Sequence, residues 1–355
     1  MIRPVLAAWA LTRVLYLAAA EWSARRVAAG DAPVRYPAHH FWDTLVAWDG
    51  LRYLDVAAVL YPRTLAEQHG FFPLLPLLLR GLDEVGIPPV AGGLVLANAA
   101  GLAGLIAVVA VTRHLFDETV ATRTGIALAC FPLSYVFSML YSEPFALAAG
   151  FGAVALVQRG RYWAAVPLGI AVGLSRSSGV LFALPLAAAA LRAGGPVVGR
   201  LFAVAAPAIG LGAFAAYLQA RTGSALAFQE AQRKFWFRRS PGFAAARALI
   251  NRISLQKDFV ASLSPYLTVG YLAAILGVAR RVPVEWTVFA LLTILLPLST
   301  GRYAGVARYG LLALPVFWAL AFIGGRYPRL WRVYRVVGPA VGELQVVWWL
   351  PGHTP

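Results

Sequence analysis

Three aspartates in residues 39–57 are the first candidates for chemistry. Asp43, Asp49 and Asp55 recur at intervals of six residues. Six residues is not a helical repeat, so at most one or two of these carboxylates can face a common site. A carboxylate beside a bound sugar can take the proton of an attacking hydroxyl group as a general base.

Asp49 is the strongest of the three candidates because of its neighbours. Trp48 suits a membrane interface, and Gly50 permits an unusual backbone angle. The alternative is a structural role, in which Asp49 anchors the start of a helix from Leu51. The sequence leaves both interpretations open.

Glu143 is a second candidate catalytic carboxylate. It is the only acidic residue between Glu118 and Glu230, and it lies between two apolar segments. An ionisable group next to a membrane span indicates function by default, because it is costly there. The alternative is a first-turn glutamate followed by Pro144, which the helix dipole favours.

Three arginines can complement these carboxylates. Arg176 lies between two apolar spans, and Arg302 and Arg308 occur in the segment GRYAGVARYG. A guanidinium group can hold a phosphate or pair with a carboxylate through two hydrogen bonds. Extension of the side chain to the membrane interface is the alternative for each of them.

No metal site or cofactor motif is evident. His39 and His40 are adjacent without an obvious third ligand, and Cys130 is the only cysteine. The sequence has neither a phosphate-binding P-loop nor a G-x-S-x-G motif. We therefore expect no metal and no cofactor.

The elements that position these residues must be membrane helices. The chain is 60% hydrophobic and 13% charged, with a mean hydropathy of +0.70, against about 45–50% and about 25% in soluble domains. The net charge of +16 comes from arginines clustered between apolar runs. This pattern is typical of cytoplasmic membrane loops rather than of nucleic-acid binding.

Apolar runs predict about ten spans, each needing roughly 17–25 residues. They lie near residues 4–20, 90–111, 122–140, 143–158, 162–174, 178–192, 200–219, 263–279, 284–300 and 308–324. Residues 71–82 are too short to span and predict a re-entrant or interfacial helix. The predicted fold is an all-α polytopic bundle forming a single domain over residues 1–355, with a helical first outer loop.

The basic linkers set the predicted orientation. With a cytoplasmic N-terminus, four of the five inner linkers have a clear excess of basic residues, including the tail from residue 325, where four arginines outnumber Glu343. The long outer loops 21–89 and 220–262 then form one face. Asp49, Glu143 and all three candidate arginines fall on that same face, as a catalytic surface requires.

A series of short motifs runs in order through most of the chain. They are Trp48-Asp49-Gly50 with Arg52, Tyr53 and Ala57; Phe71-Phe72-Pro73-Leu74 with Pro76 and Arg80; Asn98; Phe131-Pro132; Tyr141-Ser142-Glu143; Ser175-Arg176 with Ser178-Gly179; Ala227-Phe228 to Ala231-Gln232 with Trp236; and Arg308-Tyr309 before Pro315. In this order they resemble the PIG-V type mannosyltransferases: the enzyme adding the second mannose of the glycosylphosphatidylinositol anchor, and its bacterial relatives.

The resemblance implies a GT-C fold with an outer-face active site and a polyprenyl-phosphate-mannose donor. It implies inverting transfer to a lipid-, glycan- or protein-linked acceptor, in a bacterial plasma membrane. Asp49 and Glu143 are the expected catalytic residues, and Arg176, Arg302 and Arg308 the expected phosphate ligands. The expected substrate-binding residues are Trp48, Tyr53, Tyr141, Gln232 and Trp236.

Two motifs depart from the family pattern. Residues 176–179 read Arg-Ser-Ser-Gly in place of Arg-Ser-Asn-Gly or Arg-Pro-Thr-Gly, and Ala307 replaces the proline before Arg308. These departures bear on the acceptor rather than on the fold. A retaining mechanism, a transporter or flippase of lipid-linked glycans, and a non-catalytic scaffold remain as alternatives.

Overall fold

The apolar runs fold as helices in the computed structural model, which describes residues 2–31, 39–238, 242, 247, 264–301 and 305–352. Within those ranges every regular element is helical, so the all-α prediction is confirmed. One apolar core extends from Val5 to Leu350. It joins the first helix to the last described turn.

The helices alternate along the chain with short turns. They are α1 (Ile2–Ala28), α2 (Phe41–Leu45), α3 (Asp49–Val59), α4 (Leu74–Glu84), α5 (Pro89–Leu115), α6 (Glu118–Ala129), α7 (Glu143–Val157), α8 (Tyr162–Ser175), α9 (Ala183–Ala193), α10 (Val197–Thr222), α11 (Ala227–Phe235), α12 (Ser264–Val278), α13 (Val284–Ser299), α14 (Val306–Tyr309), α15 (Leu314–Arg326) and α16 (Pro328–Leu344). The segment between α1 and α5, which was predicted to be helical, contains α2, α3 and α4, and α4 lies in the run that was predicted to be too short to span.

Three described helices, α1, α5 and α10, are long and apolar enough to cross a membrane. A fourth candidate is the pair formed by residues 306–312 and α15, which is bent by 72°. The chain is therefore a helical protein with three to four candidate membrane spans in its described part. The predicted count of about ten stays a prediction.

Several of the remaining predicted spans contain a break in the α-helix. The run 122–140 forms α6 only to Ala129 and then a 3₁₀ turn at Ser134–Ser138, and the run from 178 begins with a 3₁₀ turn at Ser177–Phe182. A break shortens the continuous helix without making the segment less apolar. Other apolar helices, including α7, α8, α12 and α13, are simply shorter than 18 residues.

The helices run between two ends of the bundle, and the end that carries the first outer loop is called the polar end below. There, Ala24 and Val27 in the last turns of α1 pack on Ala47 and Trp48. At the opposite end, Arg192 of α9 and Glu285 of α13 form an ion pair of 2.6 Å. Helix α1 therefore ends at the polar end, whereas α9 ends at the opposite one.

A buried arginine supports the broken backbone between α6 and α7. Arg13 of α1 donates to the Ser134 carbonyl at 2.7 Å, to Ser134 Oγ at 3.0 Å and to Ser138 Oγ at 3.1 Å. Ser138 in turn donates to Asn98 of α5 at 2.7 Å. Non-helical backbone inside an apolar bundle needs such partners, because no water is there to supply them.

Helix α16 corrects part of the predicted orientation. Tyr334 donates to the Ala127 carbonyl of α6 at 2.6 Å, and the following turn reaches the polar end, where the Leu350 carbonyl accepts from Trp48 at 2.9 Å. The predicted inner tail and outer first loop are therefore in contact, so the prediction of opposite sides is wrong for residues 345–352.

The basic composition of α16 explains this error. Arg329, Arg332 and Arg335 lie on its exposed face, whereas Gly338 and Gly342 face the carbonyl groups of the α6–α7 connection. Mean hydropathy averages the two faces, so a helix with one packed face was predicted as part of the cytoplasmic tail.

Helices α8 and α10 pack closely through glycines, and this contact can be tested. A Cβ added at Gly210 would overlap the Ile170 carbonyl, whereas one added at Gly212 meets nothing within 4 Å. We expect Gly210→Ala to lower the free energy of unfolding by about 1–3 kcal/mol, because the helices must separate. Gly212→Ala should be neutral or stabilise by up to about 1 kcal/mol. Thermal unfolding in detergent compares the two; equal effects would contradict the packing.

Candidate functional site

The turn before α3 has a strained backbone. Trp48 has φ 63° and ψ −112°, a conformation that bulky residues rarely adopt, and α3 begins at the next residue, Asp49. The unusual angle lies at Trp48 rather than at Gly50, and the helix starts at Asp49 rather than at Leu51.

Gly50 has a different role from the one its sequence context predicted. A Cβ at this position would lie 3.3 Å from the Leu140 carbonyl oxygen and 3.4 Å from the Leu140 Cβ. The Leu140 amide also donates to the Leu45 carbonyl at 3.0 Å. The glycine therefore lets the start of α3 pack against the segment that leads to Glu143.

Two carboxylates and two guanidinium groups meet at the polar end, and we call Asp49, Glu143, Arg176 and Arg308 the charged cluster. Arg308 Nη1 lies 2.9 Å from Asp49 Oδ2 and 3.5 Å from Glu143 Oε1. Arg176 Nη1 lies 3.5 Å from the same Glu143 oxygen. The four charges form one continuous chain of contacts.

Burial differs among the four members in a way that suggests distinct roles. The Glu143 side chain is 3% exposed, and those of Arg176 and Arg308 are 11% and 14% exposed. Asp49 is 26% exposed. Asp49 is therefore the carboxylate that an incoming molecule reaches most easily.

Helix ends position each member of the cluster. Glu143 is the first residue of α7, and Arg176 has an extended backbone between α8 and the following 3₁₀ turn. Arg308 lies in α14, which follows Gly305 with φ +79°. A side chain at Gly305 would be strained, and its Cβ would lie 3.3 Å from Arg308 Nη2.

Tyrosines cover the two arginines. The Arg308 guanidinium lies 4.8 Å from the ring centre of Tyr141, and that of Arg176 lies 4.5 Å from the ring centre of Tyr309. Tyr141 is fixed by its hydroxyl, which donates to the Ala47 carbonyl at 3.2 Å. Such cation–π contacts hold the guanidinium planes in place while leaving their edges available.

Tyr53 lies beside the cluster on α3. Burial raises the pKa of its phenol above the ordinary value, and the nearby negative charge of Glu143 adds to this rise. The phenol therefore stays protonated at neutral pH. It can donate or accept a hydrogen bond at the site, but it is not a base there.

Gln232 and Trp236 lie one layer away from the charged cluster. Gln232 Nε2 donates to the Gly70 carbonyl at 3.4 Å, and the Trp236 ring centre lies 5.3 Å from that of Phe71. Phe71 in turn contacts Tyr53, with ring centres 5.1 Å apart. Aromatic contacts thus connect Trp236 to Tyr53 beside the cluster, and Gln232 is held nearby by its hydrogen bond to Gly70.

The remaining candidates have other surroundings. Asp43 accepts from the amides of His39 and His40 at 2.8 and 3.0 Å and so caps α2. Asp55 contacts Arg52 at 3.5 Å on the surface. Arg302 lies outside the described residues. Of the three evenly spaced aspartates, Asp49 alone is brought to the cluster.

The sequence did not indicate an apolar groove of about 630 Å³ that lies along α2, the short helix before Trp48 and Asp49. Its walls come from α1, α2 and the first turns of α5, and they include Leu17, Trp42, Leu45, Leu94 and Val95. Leu17 and Val95 are exposed, so the groove opens sideways on the bundle. No sequence motif marks it, because it forms between three separate helices.

Metal ligands are not grouped in the described part of the chain. No cluster of three or more histidine, cysteine, aspartate or glutamate side chains there could hold a metal ion. Metal independence remains a prediction.

Comparison with known proteins does not assign a family. No protein-family model matches the chain, and no curated protein matches it. The resemblance to PIG-V type mannosyltransferases therefore stays a prediction that rests on the motifs.

The charge balance of the cluster can be tested through stability. Replacing Glu143 with glutamine leaves Arg176 and Arg308 buried with Asp49 as the one remaining carboxylate of the cluster. We expect Glu143→Gln to lower the free energy of unfolding by about 3 kcal/mol, the usual cost of breaking a buried ion pair. Thermal unfolding in detergent measures the loss.

Glu67 provides a matched control. It pairs with Arg52 at 3.6 Å on the surface, so Glu67→Gln should cost less than about 1 kcal/mol. A Glu143→Gln variant as stable as Glu67→Gln would show that the cluster is not held by charge.

Proposed function

We propose that this chain is a membrane glycosyltransferase that moves mannose from a polyprenyl-phosphate donor to an acceptor hydroxyl, with inversion. The observation that carries the proposal is the charged cluster. It combines an accessible carboxylate with two buried guanidinium groups at one end of an apolar helical bundle. These are the groups that transfer from a lipid phosphate requires.

In the proposed reaction Asp49 is the general base. It takes the proton of the acceptor hydroxyl while the oxygen attacks the anomeric carbon of mannose. The bond between that carbon and the phosphate oxygen breaks, and its electron pair leaves with the polyprenyl phosphate. One carboxylate is enough for inversion, whereas a retaining route needs a second as nucleophile.

Arg176 and Arg308 are the proposed phosphate ligands. The Nε atoms of both side chains are buried and have no hydrogen-bond partner among the described residues. An unsatisfied buried donor costs about 1–3 kcal/mol, more when charged. Phosphate oxygens would satisfy these donors and would receive stabilisation as negative charge grows on the leaving group.

Glu143 then has a supporting role. It contacts both arginines through one oxygen, so it can keep the two guanidinium groups close together at the site. Tyr53, Tyr141 and Trp48 complete the proposed substrate surface, and Gln232 and Trp236 support it from the next layer.

We further propose a GT-C type bundle of about ten spans in a bacterial plasma membrane. The N-terminus would be cytoplasmic and the polar end would face outward. Supporting this, the shorter apolar helices α7, α8, α12 and α13 supplement the three long ones. The whole charged cluster also lies at one end.

The apolar groove is the proposed site of the donor's lipid chain. Leu45 in its wall lies four residues before Asp49, and the groove opens sideways on the bundle, where a hydrocarbon chain could enter from the lipid. The groove is lined by α1, α2 and α5, and the short apolar run at residues 71–82 does not contribute to its wall.

The base assignment gives a direct test. Asp49→Asn should lower mannose transfer by about 10²–10⁴-fold, the usual contribution of a general base, while the protein still inserts and folds. Asp55→Asn is the matched control, because Asp55 lies on the same helix and pairs on the surface. Transfer is measured with purified protein and a prenyl-phosphate-mannose donor. Near-normal activity in Asp49→Asn would refute the assignment.

The same assay distinguishes a glycosyltransferase from the alternative, a flippase of lipid-linked glycans. A flippase needs an intact bilayer and makes no glycosidic bond, so product formation by the protein in detergent would exclude it as the sole activity.

The groove can be tested by filling it. Ala91 lines the groove, whereas Ala99 is an exposed residue of the same helix that does not. We expect Ala91→Trp to raise the KM for a long-chain donor about tenfold, equivalent to about 1.4 kcal/mol of lost binding. Ala99→Trp should leave the KM unchanged, and a short-chain donor should not distinguish the variants. Equal KM values for the long-chain donor would remove the groove from the proposal.

A further inference from the structure

The strained turn at Trp48 has neighbours that the proposed reaction does not use. The indole Nε1 of Trp48 donates to the Leu350 carbonyl at 2.9 Å. Leu350 is fully buried and ends the turn that follows α16. The residue with the unfavourable backbone angle is therefore tied to a segment 302 positions away in sequence.

A second contact fixes that segment from the other side. Arg26 Nη1 in the last turn of α1 donates to the Val347 carbonyl at 3.0 Å, and its guanidinium lies 3.7 Å from the ring centre of Trp348. Val346 and Val347 are buried beneath these contacts. Residues 345–352 are thus held by α1 and in turn hold Trp48.

We propose that residues 345–352 form a positioning element for Asp49, with Arg26 as its anchor. This inference rests on the proposed function. A strained residue persists only where its surroundings over-determine its conformation. Two hydrogen bonds and a cation–π contact supply that constraint here.

The position of Asp49 makes the constraint relevant to transfer. Asp49 follows Trp48 directly and begins α3, so a change in the Trp48 angles rotates the first turn of that helix. The 2.9 Å contact between Asp49 and Arg308 depends on this rotation. Misplacing a catalytic group by about 1 Å can cost 10²-fold in rate.

The chain offers a matched pair of variants for the test. Arg26 and Arg25 are adjacent on α1, but Arg25 is exposed and pairs with Glu21 at 2.9 Å. Arg26→Met removes the anchor, Arg26→Lys keeps one donor, and Arg25→Met is the control. Trp48→Phe removes the indole donor and keeps an aromatic ring.

The rate of hydrogen exchange in the peptide 46–53 measures how firmly the turn at Trp48 is held, and it needs no activity assay. We expect Arg26→Met and Trp48→Phe to exchange about tenfold faster there than wild type, as the loss of a charged or buried hydrogen bond predicts. Arg26→Lys should lie between, and Arg25→Met should match wild type. Wild-type exchange in both Arg26→Met and Trp48→Phe would overturn the proposal.

Kinetics then test the link to transfer. Arg26→Met should lower kcat about tenfold with the donor KM within about twofold, because orientation of the base changes and donor binding does not. A rise in KM with unchanged kcat would overturn the positioning role. If wild type transfers no mannose, the proposed function fails, while faster exchange in the two variants would still support the structural constraint.

Discussion

The ion pairs of Arg308 are the interaction on which the rest of this structure depends. Each charge of the cluster is expensive to remove from water, and the attraction between partners offsets that cost only when none is missing. Asp49, Glu143 and Arg176 come from α3, α7 and the end of α8, so the four residues must assemble together. The loop that carries Asp49 and the bundle that carries the others are therefore coupled electrostatically as well as by packing.

Breaks in the helices determine where the cluster can form. Glu143, Arg176 and Arg308 all lie at or next to the point where an α-helix begins or ends. Each break leaves backbone groups that need partners. Arg13 supplies them beside Ser134, which explains a buried cation in the middle of an apolar helix. The site thus depends on polar residues that never contact it.

The sequence was sufficient for the helical fold and for bringing the four charged residues to one end. Both predictions came from the alternation of apolar runs with polar linkers. Each span takes the chain to the other side of the bundle, so the spans between two polar residues determine whether those residues share an end. The angle at Trp48 was not predictable, since it results from contacts with Leu350 rather than from local preference. The path of α16 was mispredicted because hydropathy averages a basic face with a packed one. The groove was not predicted, because the residues that line it are distant from one another in sequence.

The neutrality of the cluster has a consequence under the proposed function. Two carboxylates and two guanidinium groups sum to zero, and Arg308 is shared between Asp49 and Glu143. A donor phosphate brings an extra negative charge and competes with Asp49 for Arg308. Glu143 is more buried than Asp49 and contacts both arginines, so Asp49 is the carboxylate that a phosphate displaces more easily. Donor binding would then release Asp49 toward the acceptor, and the base would become available only when a sugar is present to transfer.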